Sequence, residues 1–376
     1  MKKKIFHLPL VLAIVAVAIS GCTAVGTATS WPGLTVTDDL SYVAFGNYVY
    51  AVNNNNGNLA WRFPQSSDIS LSFFAAPAVE GKTLVAGNYH NFLYGVNATN
   101  GMQEWVFSDA KDRYVGSPLL YNEVTYAPNA DGNLYVVDSN GQLLWKFKSQ
   151  KTNWSKPVTD GVNLYFGSMD HFVYALKLNY TQDEIVADES GLRTAIQQPL
   201  WSVDLGAAIF ANPKLSPQGV LYFATLGGKV FAIKAANGDI LWSFPQEGQL
   251  DGIWAAPVLV GELLYVGDAG DEDGSIYGLS AKTSEVQWAA PYHTDAPIIG
   301  GGMAFPDGAG FVTTNGKFIK LNTSGIVSWT KQFSDSTYTA PQAHNDSIIL
   351  AAVGKEYLLA KFNQNEQFWL FNPPSK

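Results

Sequence analysis

A chain of 376 residues exceeds the ~250–300 at which one core stops growing, so it holds two domains or repeats sharing a laterally extended core. Hydrophobic residues make up 47%, which excludes a disordered chain; charged residues make up only 15%, against a usual ~25%, which suits a surface of Asn, Ser, Thr and Gly turns better than one of helices. A formal net charge of −9 excludes sequence-independent binding to nucleic acid, which rests on Lys and Arg neutralising phosphates.

The chain begins MKKKIFHLPLVLAIVAVAISGC: three lysines, then an apolar run from Leu8 to Ile19. This is the layout of a secretory signal, and the run is short of the ~20 apolar residues that a membrane span needs. Ile19-Ser20-Gly21-Cys22 resembles a bacterial lipobox, in which the cysteine is acylated and becomes the first mature residue. Cys22 is the only cysteine. Residues 1–21 are read as the signal peptide, 22–30 as a lipidated tether, and acyl chains on Cys22 as the membrane attachment. The mature chain then has 20 basic and 32 acidic residues and no disulfide. The expected location is the cell envelope: the periplasmic face of the outer membrane or the outer face of the cytoplasmic membrane.

From Trp31 onward the sequence repeats. Trp61, Trp105, Trp145, Trp201, Trp242, Trp288, Trp329 and Trp369 are separated by 44, 40, 56, 41, 46, 41 and 40 residues. The long gap holds an insertion, residues 179–198, assigned to the fourth repeat and the one stretch that has any helical periodicity. Each repeat opens with a short apolar piece that often ends in proline, such as Ala76-Pro77 or Ala256-Pro257. An alternating strand follows (83–87, 163–168, 220–225, 263–268), then a polar turn and a second strand (92–96, 172–176, 229–233, 275–279). Last come a glycine-bearing turn and the tryptophan strand. Four short strands per 40–45 residues, repeated, predict an all-β, eight-bladed β-propeller of four-stranded antiparallel blades over residues 31–372, with 373–376 as a tail. The ring is expected to be monomeric, closed either by packing of blade faces or by an edge strand from residues 24–30.

Four residues before the tryptophan stand Gly57, Gly101, Gly141, Gly238 and Gly325. A tight turn there needs positive φ, which glycine adopts without a Cβ clash. In the last repeat the position is Asn365, and asparagine tolerates that conformation best after glycine; Ser284 and Gln197 are the exceptions. The eight ladder tryptophans are expected to fill the gaps between blades, because no blade can bury its faces alone. Ala51, Gly95, Ala232 and Gly278, ten residues before tryptophan, would leave room for the approach.

Ala/Gly-x5-Gly-x3-Trp resembles the tryptophan-docking motif of the pyrroloquinoline-quinone (PQQ) type propeller repeats, over about 31–372. Together with the lipobox, the chain resembles the BamB-type envelope lipoproteins, scaffolds of outer-membrane barrel assembly. The resemblance implies an envelope protein partner, bound by loops that lead into the first strand of a blade; here those include residues 66–74 and 108–115. The family's Leu-x-Leu-Arg contact motif is missing. Leu71-Ser72-Phe73 is a loose echo, and Leu192-Arg193 lies in the insertion.

Quinoprotein dehydrogenases share the repeat, and the resemblance to them would imply a vicinal cysteine pair, a calcium site and a catalytic aspartate. The chain has one cysteine, so neither PQQ nor calcium is expected, and no residue is assigned to catalysis. Asp268, Asp271 and Asp273 form an acidic turn; clustered carboxylates can hold Ca²⁺, but the spacing is not that of an EF-hand and a solvated hairpin is the plainer reading. His90 and His171 are read as surface-turn residues. Trp154 and Trp254, off the ladder, either pack in the core or line one face of the ring. The primary reading is a non-catalytic, lipid-anchored binding scaffold. The alternative is a ligand-binding or sensory propeller taking a sugar, peptide or metal in its funnel, and a quinone-dependent dehydrogenase comes last.

Overall fold

The computed structural model describes residues 31–66, 71–354 and 356–374. The signal peptide, Cys22 and the tether therefore lie outside the described residues, as do residues 67–70 of one candidate contact loop and 375–376 of the tail.

Each repeat folds into an antiparallel meander whose strands run in order from the ring axis outward. In blade 1 these are Gly33–Val36, Leu40–Phe45, Tyr48–Asn53 and Leu59–Phe63. Seven further blades occupy residues 78–107, 119–148, 158–204, 214–244, 258–294, 302–332 and 342–371. Among the described residues there is no helix. Middle strands are buried on both faces, as in Tyr48–Asn53, because a neighbouring blade covers each side. Outer strands alternate: in Gln103–Phe107 only Trp105 and Phe107 are buried.

The cores lie between blades. Trp61 and Phe63 of blade 1 pack with Leu84, Tyr94 and Val96 of blade 2. The pattern recurs around the ring to the last interface, where Leu359, Trp369 and Phe371 of blade 8 pack with Val43, Tyr50 and Val52 of blade 1. A Cβ built on each turn glycine shows what the tryptophan meets. It would stand 2.6 Å from Trp61 at Gly101, 2.7 Å from Trp105 at Gly141 and 2.8 Å from Trp201 at Gly238; at Gly325 it would stand 2.5 Å from Trp288, and at Gly57 2.8 Å from Trp369. Each of these five tryptophans thus lies on the turn glycine of the next blade, and Trp369 carries the contact from blade 8 back to blade 1. The indoles of Trp61, Trp201, Trp242, Trp288 and Trp369 also donate Nε1–H to a carbonyl of that turn, at 3.0–3.1 Å. Gly95 and Gly278 make room for the tryptophan of their own blade: a Cβ there would stand 2.1 and 2.2 Å from Trp105 and Trp288.

Ring closure among the described residues is by faces. Strand Gly33–Val36 pairs within blade 1, and blade 8 supplies all four of its own strands. The Gln342 side chain bridges the seam, accepting from the Val36 N–H at 3.0 Å and donating to the Leu34 carbonyl at 2.5 Å. The Lys361 ammonium donates to the Asn54 carbonyl at 2.9 Å.

Several expectations are corrected. Asn365 is not among the residues at positive φ. Trp369 pairs with Lys361, eight residues back rather than ten, and the shorter turn closes through Asn363, whose Oδ1 accepts the N–H groups of Asn365 and Glu366. Ser284, set aside as an exception, does take positive φ, at +64°. Trp288 precedes the outer strand of its blade, Tyr292–Thr294. The insertion forms no helix. Its strands Val186–Ala187 and Arg193–Ile196 join blade 3, where Arg193–Ile196 runs parallel to the outer strand Leu143–Lys148 and makes that sheet six-stranded. Ile196 is buried there, and Lys146 pairs with Asp188 at 2.6 Å. Trp145 meets Tyr180 of the insertion edge-on at 5.0 Å.

Candidate protein-contact face

In an antiparallel meander, the turn between the second and third strands emerges at the same end as the connector into the next blade. The seven connectors, the entry into blade 1 and these turns therefore share one face. Backbone bonds weld them together: the N–H groups of Tyr114, Asn153, Ile209 and Ile253 reach carbonyls of Asn88, Asn129, Ser168 and Thr225 in the preceding blade, at 2.9–3.2 Å.

The residue after each of these points is the informative one. Phe74, Val115, Trp154, Phe210, Trp254 and Tyr338 each stand three positions before a proline. Trp154 meets Phe210 at 6.0 Å, and Phe210 meets Trp254 at 5.2 Å. Trp31, on the entry to blade 1, stacks on Tyr338 at 5.4 Å and 10°, and touches Trp254 edge-on at 6.3 Å. Trp254 leads into blade 6, so its contact with Trp31 reaches across the ring, past the connectors of blades 7 and 8. These five half-exposed rings gather over the axis. Trp154 and Trp254 thus line the face, each packed against Phe210. Sequence reading noticed the prolines and missed the aromatic three residues earlier. On the inner edge beneath, Lys156 donates its backbone N–H to Asn212 at 2.8 Å, and burial pushes its ammonium pKa down.

A second cluster joins the two loops singled out by the family resemblance. The Phe74 and Tyr89 rings lie 5.0 Å apart, and the Arg113 guanidinium sits 5.7 Å above the Tyr89 ring. The Tyr89 N–H donates to the Ser72 carbonyl at 2.8 Å. Blade 2's turn thereby ties loop 71–74 to loop 108–115. Leu71 and Phe73 do not form a contact motif, because both side chains are buried between blades 1 and 2. Leu192 and Arg193 are exposed on the insertion, at the rim.

The acidic turn is braced internally. Asp268 is buried; its Oδ1 accepts the Ser275 N–H at 2.6 Å and its Oδ2 the Tyr277 hydroxyl at 3.2 Å. His90 and His171 sit in the turns of blades 2 and 4, and among the described residues no group of three or more His, Cys, Asp or Glu is placed to hold a metal ion.

Burial raises the pKa of Asp268; the Ser275 N–H and Tyr277 hydroxyl oppose the shift, and Asp251 and Asp273 add to it. An acid whose pKa folding raises contributes fully below its unfolded value, near 3.9, and loses that contribution as pH rises through the folded value. Asp268→Asn is therefore expected to melt higher than the wild type at about pH 7. The difference should close toward about pH 4, which thermal unfolding across that range would check. Asn88 and Asn129 already fill the matching turns of blades 2 and 3.

Comparison with known proteins agrees with this architecture. The family model described as outer membrane protein assembly factor BamB matches residues 20–177, 193–298 and 273–369. Among solved structures, BamB from Moraxella catarrhalis is similar at TM-score 0.66 and 16% identity, over 85% of this chain and 90% of that one. The computationally designed Ika8 protein is similar at 0.71 and 14%, over 90% and 98%. Quinohemoprotein alcohol dehydrogenase from Comamonas testosteroni is similar at 0.67 and 13%, over 87% and 71%. At these identities the structural likenesses speak to the fold alone, and no curated protein matches the sequence. The family match, spanning most of the repeat array, makes this chain a member of the BamB family of PQQ-like β-propellers.

Proposed function

We propose that this propeller is a non-catalytic scaffold, exported and anchored through Cys22, that binds an envelope protein on its connector face in outer-membrane barrel assembly. The observation that carries this reading is the composition of that face. Half-exposed tryptophan and tyrosine rings gather at the axis, and an arginine–tyrosine pair joins loop 108–115 to the turn of blade 2. Trp, Tyr and Arg are the residues that dominate binding energy at protein interfaces. Family membership supports the assembly role, which is the role the family is named for.

The axial rings also favour a second reading, in which a flat or apolar ligand inserts among them. Affinity purification from gently solubilised native envelopes, followed by crosslinking and mass spectrometry, separates the two. A stoichiometric partner crosslinked to residues 108–115 is the expected result. An intact, membrane-bound protein with no such partner would overturn the scaffold. A saturable rise in melting temperature with added PQQ and Ca²⁺ would instead favour a cofactor-binding propeller.

A further inference from the structure

Two residues flank each ladder tryptophan, one before and one after; where the tryptophan lies in the outer strand, as in every blade but blade 6, they stand on the face turned away from the next blade. Around the ring these pairs are Ala60/Arg62, Glu104/Val106, Leu144/Lys146, Leu200/Ser202, Leu241/Ser243, Gln287/Ala289, Ser328/Thr330 and Phe368/Leu370. Only blade 8 has a large apolar residue at both positions. Phe368 and Leu370 are 45% and 43% exposed, whereas Trp369 and Phe371 between and after them are buried against blade 1. Strand Gln367–Phe371 is also an edge: it pairs with Leu359–Phe362 on one side, and among the described residues no strand lies on the other. A long apolar edge is a site that proteins usually blunt with charge or cover.

The molecule itself shows what covers such an edge. On blade 3 the matching edge carries Arg193–Ile196 as a parallel strand, with Ala195 and Ile196 beside Lys146 and Phe147. Ile196 goes into the core there, and Asp188 of the same insertion neutralises Lys146. Counted from the tryptophan, Leu370 stands where Lys146 stands in blade 3, and Phe368 where Leu144 stands. A segment seated on blade 8 would therefore need no carboxylate and would place apolar side chains against both positions.

We propose that the outer edge of blade 8 is a strand-docking site. Its occupant is an extended segment of another polypeptide with large apolar residues at every second position, added parallel to Gln367–Phe371 as a fifth strand. Backbone hydrogen bonds would supply affinity and the Phe368/Leu370 face would select the alternation. This site lies on the circumference, apart from the connector face, and does not rest on the partner proposed there.

The test uses the full mature chain and a fluorescein-labelled peptide that alternates threonine with valine and phenylalanine between terminal lysines. Fluorescence anisotropy should show saturable binding, and amide exchange at residues 367–371 should slow when the peptide is bound. Phe368→Ser with Leu370→Thr gives blade 8 the natural pair of blade 7 and should weaken binding about ten-fold or more without changing the melting temperature. The same peptide with a central proline should not bind, because it cannot complete the backbone ladder. Three results would overturn the proposal: no saturable binding, binding that persists in the double variant, or binding indifferent to the proline. Concentration-dependent dimerisation that the double variant abolishes would also overturn it, naming a second copy as the occupant.

Discussion

Trp369→Ala is expected to destabilise the ring by about 3–5 kcal/mol, the range for truncating a buried large aromatic. The indole is only 9% exposed, fills the seam between the last blade and the first, and donates to the Asn54 carbonyl at 3.0 Å. Its removal leaves a cavity at the junction that closes the ring and takes from the Asn54 carbonyl one of its two donors, the Lys361 ammonium remaining. Gly57→Val approaches the same seam from the other side. It forces a β-branched residue to φ +73° and places a Cβ 2.8 Å from the Trp369 ring. Its cost should fall in the Trp369→Ala background, where the clash is gone and only the strain of the left-handed backbone remains. Trp329→Ala should cost less than Trp369→Ala, because Trp329 is half-exposed and rests on Phe318 and Phe362 rather than on a turn glycine. Urea unfolding of the four variants checks the series. A loss below about 1 kcal/mol for Trp369→Ala would show that the seam is not closed by this contact.

The second large effect is on binding. Tyr89→Ala combined with Arg113→Ala should weaken capture of the envelope partner by about 2 kcal/mol or more, roughly 30-fold. Stability should change little, since Arg113 is exposed and Tyr89 half-exposed. Trp31→Ala should weaken capture as well, by removing a ring that touches both Tyr338 and Trp254. Lys82→Ala, in the turn between the first two strands of the blade and so on the opposite face, should leave capture unchanged. Quantitative pull-down from envelopes, normalised to the amount of folded propeller, measures all of these.

Much of the architecture was legible because a propeller repeats its own grammar. The tryptophan spacing, the turn glycines and the alternating strands each recur, and recurrence turns weak local signals into a count of blades. Less of the candidate site was legible. The glycine turn reads correctly as a left-handed position, yet nothing in one repeat says that its open face receives the tryptophan of the preceding blade. Asn365 misleads because the last turn is two residues shorter, and only strand register shows that. The destination of residues 179–198 is a long-range fact: Lys146 meets Asp188 across 42 positions, beyond any periodicity. The axial rings had a signal that passed unread, an aromatic three residues before the proline in five repeats and a valine there in a sixth. Tyr89 and Arg113 had none, because their pairing depends on two connectors brought together by the ring.

The central claim is that the connector face, and not the opposite one, holds an envelope protein. It is tested most directly by a photo-crosslinking amino acid placed at Tyr89 in one variant and at Lys82 in another, irradiated in intact cells. The account predicts one discrete adduct with an envelope protein from position 89 and none from position 82. Equal adducts from both positions, or an adduct from 82 alone, would contradict it.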